Sequence, residues 1–345
     1  MKKIVFTGGG SAGHVVPNIA LMEELRDKYE LFYIGTDGIE KRLITPLKIP
    51  YGEISCPKFI RGFSLKNLTI PFEFRRAVKS AEKALKDIQP DLVFSKGGYV
   101  ALPVAHAAKR LKIPCLTHES DLSLGLANRL MSNKCDYVLT SFPETAESVI
   151  NGRCVGSPLR RNLFGVDKDA ARAKYGFTTK NKPVILVLGG GSGSVALNNA
   201  LRQNLFSLCR KYYVLHLCGK GNAVESSVAG YEQREFETDM GSAYACADAV
   251  VARAGSNTVF EALALKKPTL FIPLQNARSR GDQIKNAEYF KKQGLCHVLL
   301  QKDVRLLEGA IDALIRDEKL KKNLFSCEVS SGNQKIKECI EELVQ

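Results

Sequence analysis

The residues best placed to do chemistry in this 345-residue chain follow glycine-rich turns and the ends of apolar runs. Residues 3–21 read KIVFTGGGSAGHVVPNIAL, matching G-x-G-x-x-G with Gly8, Gly10 and Gly13, and His14 comes next. Such a turn ends a strand and opens a helix. Partial positive charge at the helix N-terminus disfavours an imidazolium, so His14 reads as a neutral general base. A capping or packing histidine is the plainer alternative. Residues 183–201, PVILVLGGGSGSVALNNAL, repeat the same plan. Their turn, 189–194, lacks the third glycine but offers backbone N–H groups together with Ser192 and Ser194. That is either an anion cradle suited to a diphosphate or an ordinary tight turn.

Three further runs carry polar groups. In residues 252–263, ARAGSNTVFEAL, Ser256 or Asn257 can cap a helix, and Thr258 and Glu261 have capping-box spacing. The functional reading makes Glu261 a grip on a ribose diol while the helix N-terminus holds phosphate. Asp282 and Gln283, in GDQIKN, suit sugar hydroxyls or a solvated loop. Glu119 and Asp121, in HESD, could supply acid–base or sugar-binding groups. The first glycine turn also matches an NAD(P) fingerprint, a weak signal when alone. The acidic partner of that fingerprint would be Asp37, after Gly35 and Thr36, so a dinucleotide reading survives without being favoured.

The elements that must position these groups alternate strand and helix in both halves, which predicts parallel sheets with right-handed crossovers. Strands are expected at 4–7, 31–35, 54–56, 92–95, 115–118 and 137–140, then at 184–188, 213–218, 235–236, 249–252, 269–272 and 297–300. The fold class is α/β, with two doubly wound, Rossmann-like domains separated by a cleft. Their expected bounds are 1–157 and 158–332, with a hinge around 156–158 and 167–183. An amphipathic helix within 333–345 is placed back on the first domain.

Hydrophobic residues make up 45% of the chain, ample for packed cores. The apolar stretch near the N-terminus is four residues long, too short for a signal peptide or anchor, and no run approaches the roughly 20 residues of a span. Ten cysteines without a CxxC read as buried free thiols, and no zinc site is expected. The formal charge of +14 allows nucleic acid, an anionic membrane or a phosphorylated substrate as partner. No Lys/Arg block suits a nucleic-acid tail. The bias concentrates in residues 58–79, with six basic residues, one acidic residue and four phenylalanines. One reading puts Phe72 and Phe74 in the core with the charges outward. The other lays Phe59, Phe63, Leu65, Lys66 and Leu68 into an anionic membrane interface.

In combination these motifs are specific. GGGSAGHVVP, SKGGYVALP, HESDLSLGLANRL, GSPLR, GGGSGSVALN, EFETDM, ADAVVARAGSNTVFEAL and RGDQIKNA run in one order. Over nearly its full length the chain resembles the MurG family, the N-acetylglucosaminyltransferases of peptidoglycan synthesis. The resemblance implies a GT-B fold and transfer of GlcNAc from UDP-GlcNAc to the MurNAc 4-hydroxyl of lipid I, giving lipid II. It implies a peripheral protein on the cytoplasmic face of the membrane, with no tightly bound cofactor, no metal required by any motif though a divalent cation is allowed, and no nucleic acid. By position it places Ser11, Ala12 and Gly13 near the acceptor diphosphate or donor sugar. Tyr99 and Arg160 fall on substrate-binding positions. His14 is the favoured base, with Glu119 and Asp121 as rivals. Gly191 and Ser192 lie in the second turn, Phe236 and Glu237 bracket the uracil, and Ser256, Asn257 and Thr258 meet the diphosphate. Glu261 takes the ribose, and Asp282 and Gln283 the GlcNAc hydroxyls. The chain departs from the family pattern at Ser11-Ala12, at Gly191 where the family has serine, and at Asp121 where many members have asparagine.

Overall fold

A computed structural model describes residues 1–57, 69–179, 182–275 and 280–345. It divides into two units, one of Met1–Arg160 with Ser331–Gln345, the other of Arg161–Ser330. The chain therefore passes between them at residues 160–161 and again at 330–331, three residues beyond the expected boundary on the first passage.

The first unit is a seven-stranded sheet of β1 (Lys3–Thr7), β2 (Glu30–Gly35), β3 (Tyr51–Glu53), β4 (Leu92–Ser95), β5 (Cys115–Glu119), β6 (Tyr137–Thr140) and β7 (Gly152–Cys154). Every pairing is parallel, in the order β3-β2-β1-β4-β5-β6-β7. The crossovers run through α1 (Ala12–Leu25), α2 (Ile39–Ile44), α3 (Ile70–Ile88), α4 (Ala101–Leu111), α5 (Leu126–Met131) and α6 (Pro143–Glu147). Central strands such as β4 are buried at every residue, because helices cover both faces of a parallel sheet. The strand order reverses between β1 and β4, so the turns after these two strands open on one crevice, the usual ligand position in open α/β sheets.

The second unit repeats the plan with six parallel strands, ordered β10-β9-β8-β11-β12-β13. Its elements are α7 (Lys168–Lys174), β8 (Val184–Leu188), α8 (Val195–Gln203), α9 (Leu205–Lys211), β9 (Tyr213–Leu217), β10 (Tyr231–Arg234) and α10 (Met240–Cys246). They continue with β11 (Ala249–Ala252), α11 (Ser256–Ala264), β12 (Thr269–Phe271), α12 (Asp282–Lys292), β13 (His297–Val298), α13 (Leu307–Arg316) and α14 (Glu318–Ser326). Here the order reverses between β8 and β11.

The final helix, α15 (Asn333–Leu343), belongs to the first unit. Ile336, Cys339 and Ile340 sit in one core with Ile4, Phe6, Leu21 and Leu25. Lys337 pairs with Glu24 at 2.8 Å, and Arg153 grips Glu342 with both terminal nitrogens at 2.5 and 3.1 Å.

Four sequence expectations are corrected. The described residues of 167–183, expected as part of the hinge, fall inside the second unit, and the chain passes between the units at 160–161. Asp167 caps α7 by accepting from the Ala170 N–H, and buried Arg172 ties that helix to Asp248 and to the Thr179 and Lys182 carbonyls. The strand expected at 235–236 is β10, one step earlier. Its sequence, YEQR, lacks an apolar run because it is an edge strand, and its register on β9 fixes it. The strand expected at 54–56 lies at Tyr51–Glu53. Phe72 is exposed rather than in the core, whereas Phe74 packs inward, edge-on to His106. Phe59, Phe63, Leu65, Lys66 and Leu68 lie outside the described residues.

Candidate active site

The second unit's switch point holds a cavity of about 380 Å³ lined by the second glycine turn, Arg253, Gln283 and Gln301. The turn is open. Gly190 and Gly191 have nothing within 4 Å of where a side chain would begin, and both are exposed. Gly190 and Gly193 adopt φ of +86° and +74°, a region that favours glycine. Ser194 caps α8, its hydroxyl accepting from the Leu197 N–H, and Ser192 stands exposed on the rim. The cradle thus presents a helix N-terminus to solvent, with no acidic residue lining the cavity among the described residues.

Arg253, which the sequence reading passed over, is the charge in this cavity. It is 7% exposed, and its guanidinium donates to Ser194 Oγ, the Ile272 and Pro273 carbonyls and Gln301 Oε1, at 2.7 to 3.2 Å. All of these acceptors are neutral oxygens. A buried cation normally has an ionised partner, and burial pushes this one below the usual arginine range. The signal available in the sequence was a lone cation ending the apolar strand ADAVVAR.

The other second-unit candidates surround this feature unevenly. Gln283 lines the cavity, its side-chain oxygen accepting from the Leu274 N–H at 2.9 Å, while neighbouring Asp282 is paired with Arg280 at 2.7 Å. Ser256, Asn257 and Thr258 form the first turn of α11. Its N-cap is Gly255, with no side-chain cap, so the expected capping by Ser256 or Asn257 does not occur. Glu261 is buried, and the Tyr244 hydroxyl donates to its Oε2 at 3.1 Å. Phe236 is exposed just after β10. The Glu237 carboxylate is spent on structure: it accepts from Tyr175, Arg234 and the Asp239 N–H.

In the first unit, α1 begins after Ser11, so His14 lies in its first turn, half-buried. Its Nδ1 lies 3.1 Å from the Lys96 carbonyl. A carbonyl only accepts, so Nδ1 donates, and in a neutral ring that leaves the lone pair on Nε2, the tautomer a general base needs. The turn after β4 supplies that carbonyl and also Gly98, whose missing Cβ would sit 3.1 Å from the His14 ring.

Glu119, the first rival base, is committed elsewhere. Its two oxygens accept from the Asp121 and Gly125 N–H groups and the Asn128 amide at 2.7 to 3.0 Å. It shapes the loop after β5. Asp121, the second rival, is half-buried on that loop. Lys96 is buried completely, donating to Ser120 Oγ at 2.6 Å. Desolvation pulls it down to about 8, opposed by the charges of Glu119 and Asp121. Ser11 and Gly13 are exposed, Ala12 half-buried, and Arg160 ends this unit half-buried.

The first glycine turn is filled rather than open. The Tyr99 ring covers Gly10, lying 2.7 Å from the position of a Cβ there, and the buried Glu40 carboxylate occupies the space beside Gly9. Asp37, the acid expected of a dinucleotide site, is exposed and paired with Lys41 at 3.1 Å. Among the described residues no group of three His, Cys, Asp or Glu is placed to hold a metal ion, and no helix is long and apolar enough to cross a membrane. The cysteines are unpaired and buried apart from Cys56, Cys154 and Cys327.

Comparison with known proteins matches both units. Residues 4–140 match the glycosyltransferase family 28 N-terminal domain, and residues 184–342 its C-terminal domain. A curated relative from Lachnospira eligens, named UDP-N-acetylglucosamine--N-acetylmuramyl-(pentapeptide) pyrophosphoryl-undecaprenol N-acetylglucosamine transferase, is 47% identical over 88% of each chain. One of the same name from Clostridium perfringens is 41% identical over 97% of this chain and 96% of its own. The crystal structure of Acinetobacter baumannii MurG superposes with a TM-score of 0.77 at 26% identity, covering 99% of this chain and all of that one. The chain belongs to the MurG family of GT-B glycosyltransferases.

Proposed function

We propose that this chain transfers N-acetylglucosamine from UDP-N-acetylglucosamine to the MurNAc 4-hydroxyl of lipid I, the undecaprenyl-diphosphate-linked muramyl pentapeptide, forming lipid II. The observation that carries this reading is the 41% identity, over nearly whole chains, to a relative named for that transfer. The second turn supports it chemically. The α8 N-terminus and Arg253 offer a preorganised positive site for the leaving diphosphate, so charge that develops as the glycosidic bond breaks is stabilised without rearrangement. Glu261, held by Tyr244, grips the ribose, and Gln283 meets the sugar.

His14 Nε2 takes the proton of the attacking hydroxyl, directly or through one water, in a single displacement that inverts the anomeric carbon. Glu119 shapes the acceptor loop instead of competing as base. The reaction uses no tightly bound cofactor and no nucleic acid. The polyprenyl acceptor implies peripheral docking on the cytoplasmic face of the membrane. Exposed Phe72, Arg75 and Arg76 at the start of α3 suit an anionic lipid surface.

The test is a transfer assay offering UDP-GlcNAc and UDP-galactose against a lipid I analogue. Product from UDP-GlcNAc alone is expected. Transfer only to another glycolipid acceptor would replace this reading with that of a related glycolipid glycosyltransferase.

A further inference from the structure

Among the described residues of the first unit, Lys96 is the one buried lysine or arginine, and it stands against two buried carboxylates, Glu40 and Glu119. It follows β4 directly, at the switch point between β1 and β4. Its ammonium makes one hydrogen bond, to the neutral Ser120 Oγ at 2.6 Å. An ammonium has three N–H groups to satisfy, and a cation taken out of water without a bonded carboxylate costs stability. Groups held at such a cost concentrate at functional sites.

The carboxylates that act on this charge sit on the loop after β5, one on each side of Ser120. Glu119 is clamped by the Asp121 and Gly125 N–H groups and the Asn128 amide, and Asp121 is half-buried. Both oppose the burial that lowers the Lys96 ammonium. The lysine in turn adds to the burial that holds His118 well below the usual imidazole range, so its field reaches β5. Across the turn, Glu40 accepts from the Gly10 N–H at 3.1 Å. Three carboxylates thus stand along this end of the sheet, with one buried cation among them. An anion approaching Ser11 and Gly13, exposed at the N-terminus of α1, meets the sum of these charges.

Granted the diphosphate-linked acceptor proposed above, we infer that Lys96 is a specificity-determining residue: its buried charge offsets Asp121 and Glu119 and so lets the first unit's crevice take an anionic acceptor. The ammonium, 2% exposed, acts on the acceptor through its field rather than by contact, and Asp121 is the group it balances.

The test is steady-state transfer by the full chain from UDP-GlcNAc to a lipid I analogue, with UDP affinity followed separately by calorimetry. Lys96→Met should raise the acceptor KM about tenfold, the size of one charge-assisted contact, while kcat, the donor KM and UDP affinity hold. Asp121→Asn should lower the acceptor KM about two- to fivefold, as removal of a partly exposed charge does. Combining the two should return it to within about threefold of wild type, because a neutral pair restores the balance. Such recovery separates charge from packing, since a merely structural lysine is not rescued by removing a carboxylate it does not bond. An acceptor KM unmoved by Lys96→Met, or raised and left unrescued, overturns the inference. Should Lys96→Met not fold, Asp121→Asn decides alone, and an unchanged acceptor KM refutes the balance.

A wild type that transfers nothing to the lipid I analogue breaks the acceptor reading instead. The balance is then read with inorganic pyrophosphate on the UDP-saturated chain, at the Gly13 amide resonance. Its saturating shift should need about tenfold more pyrophosphate in Lys96→Met and recover in the double variant. Equal midpoints, or no shift in wild type, would refute the role of Lys96.

Discussion

The two glycine turns share a sequence pattern and a place in the sheet, yet one is filled and the other open. After β1, Glu40, Tyr99 and the Lys96 turn crowd Gly8, Gly9 and Gly10. After β8, Gly190 and Gly191 face empty space, and the charged residue lining the cavity of that turn is Arg253. The same strand–turn–helix corner thus serves opposite ends. On the proposed reading, an anion on the first leaves it a mount for the proton acceptor His14. On the same reading, a cation beside the second makes it a receptor for phosphate. The buried side chains beside them carry opposite charge, whereas the helix dipole is the same in both.

The sharpest way to break this division is to remove the group that each turn presents. His14→Ala should lower kcat by about 10²- to 10⁴-fold, the range for loss of a positioned general base, while UDP affinity measured by calorimetry holds. Unchanged turnover would leave the first turn without a chemical role. Arg253→Met should act on the other side, weakening UDP by about 10- to 100-fold, as loss of a desolvated charge contact does. Arg253→Lys should not restore it, since one ammonium cannot span Ser194, Gln301 and two carbonyls at once. Retention of UDP affinity in Arg253→Met would dissolve the contrast between the turns.

A third substitution asks whether the first unit's rigidity matters. Ile340→Ala on α15 removes fully buried atoms from the core behind β1 and α1. It should cost about 2–4 kcal/mol in that unit, read by denaturant melts followed by a probe in each unit. Equal destabilisation of both units would mean that α15 is not specific to the first.

Much of this arrangement was legible in the sequence, and what was missed has a common cause. Alternating apolar runs and glycine corners give both sheets, since buried parallel strands must be continuous hydrophobic segments. The two glycine corners that carry His14 and Ser194 are legible because they follow such runs directly. Glu40 and Arg253 are not, because their importance lies in what they face across a crossover. Glu40 is one acid in the helix IEKRLI, 30 residues from Gly10, and only the β1–β2 register brings the two together. The same limit explains Glu119 and Glu237: a carboxylate beside a strand end reads as reactive until the backbone N–H groups it clamps are seen. The polar edge strand β10 and the charged helix α7 are hidden for a different reason, as neither carries the apolar period that marks an element.

The finest test concerns Lys96, which braces the first turn from below: its carbonyl holds His14, and its Cβ abuts Gly8. Burial lowers the folded-state value of this ammonium to about 8 from an ordinary 10.5. The unfolded chain therefore binds a proton that the folded chain lacks between these two values. Stability rises with pH wherever the unfolded state holds more protons, so the wild type gains up to about 1.4 kcal/mol per pH unit across that window. Below pH 8 both states are protonated and the penalty of burying the charge is present in full. Lys96→Met removes the titrating group. Its stability relative to wild type should be greatest below pH 8 and decline steadily towards pH 10.5, as measured by urea melts at several pH values. Parallel curves would show that Lys96 is solvated rather than buried, and the first turn would then lack the dry brace that distinguishes it from the second.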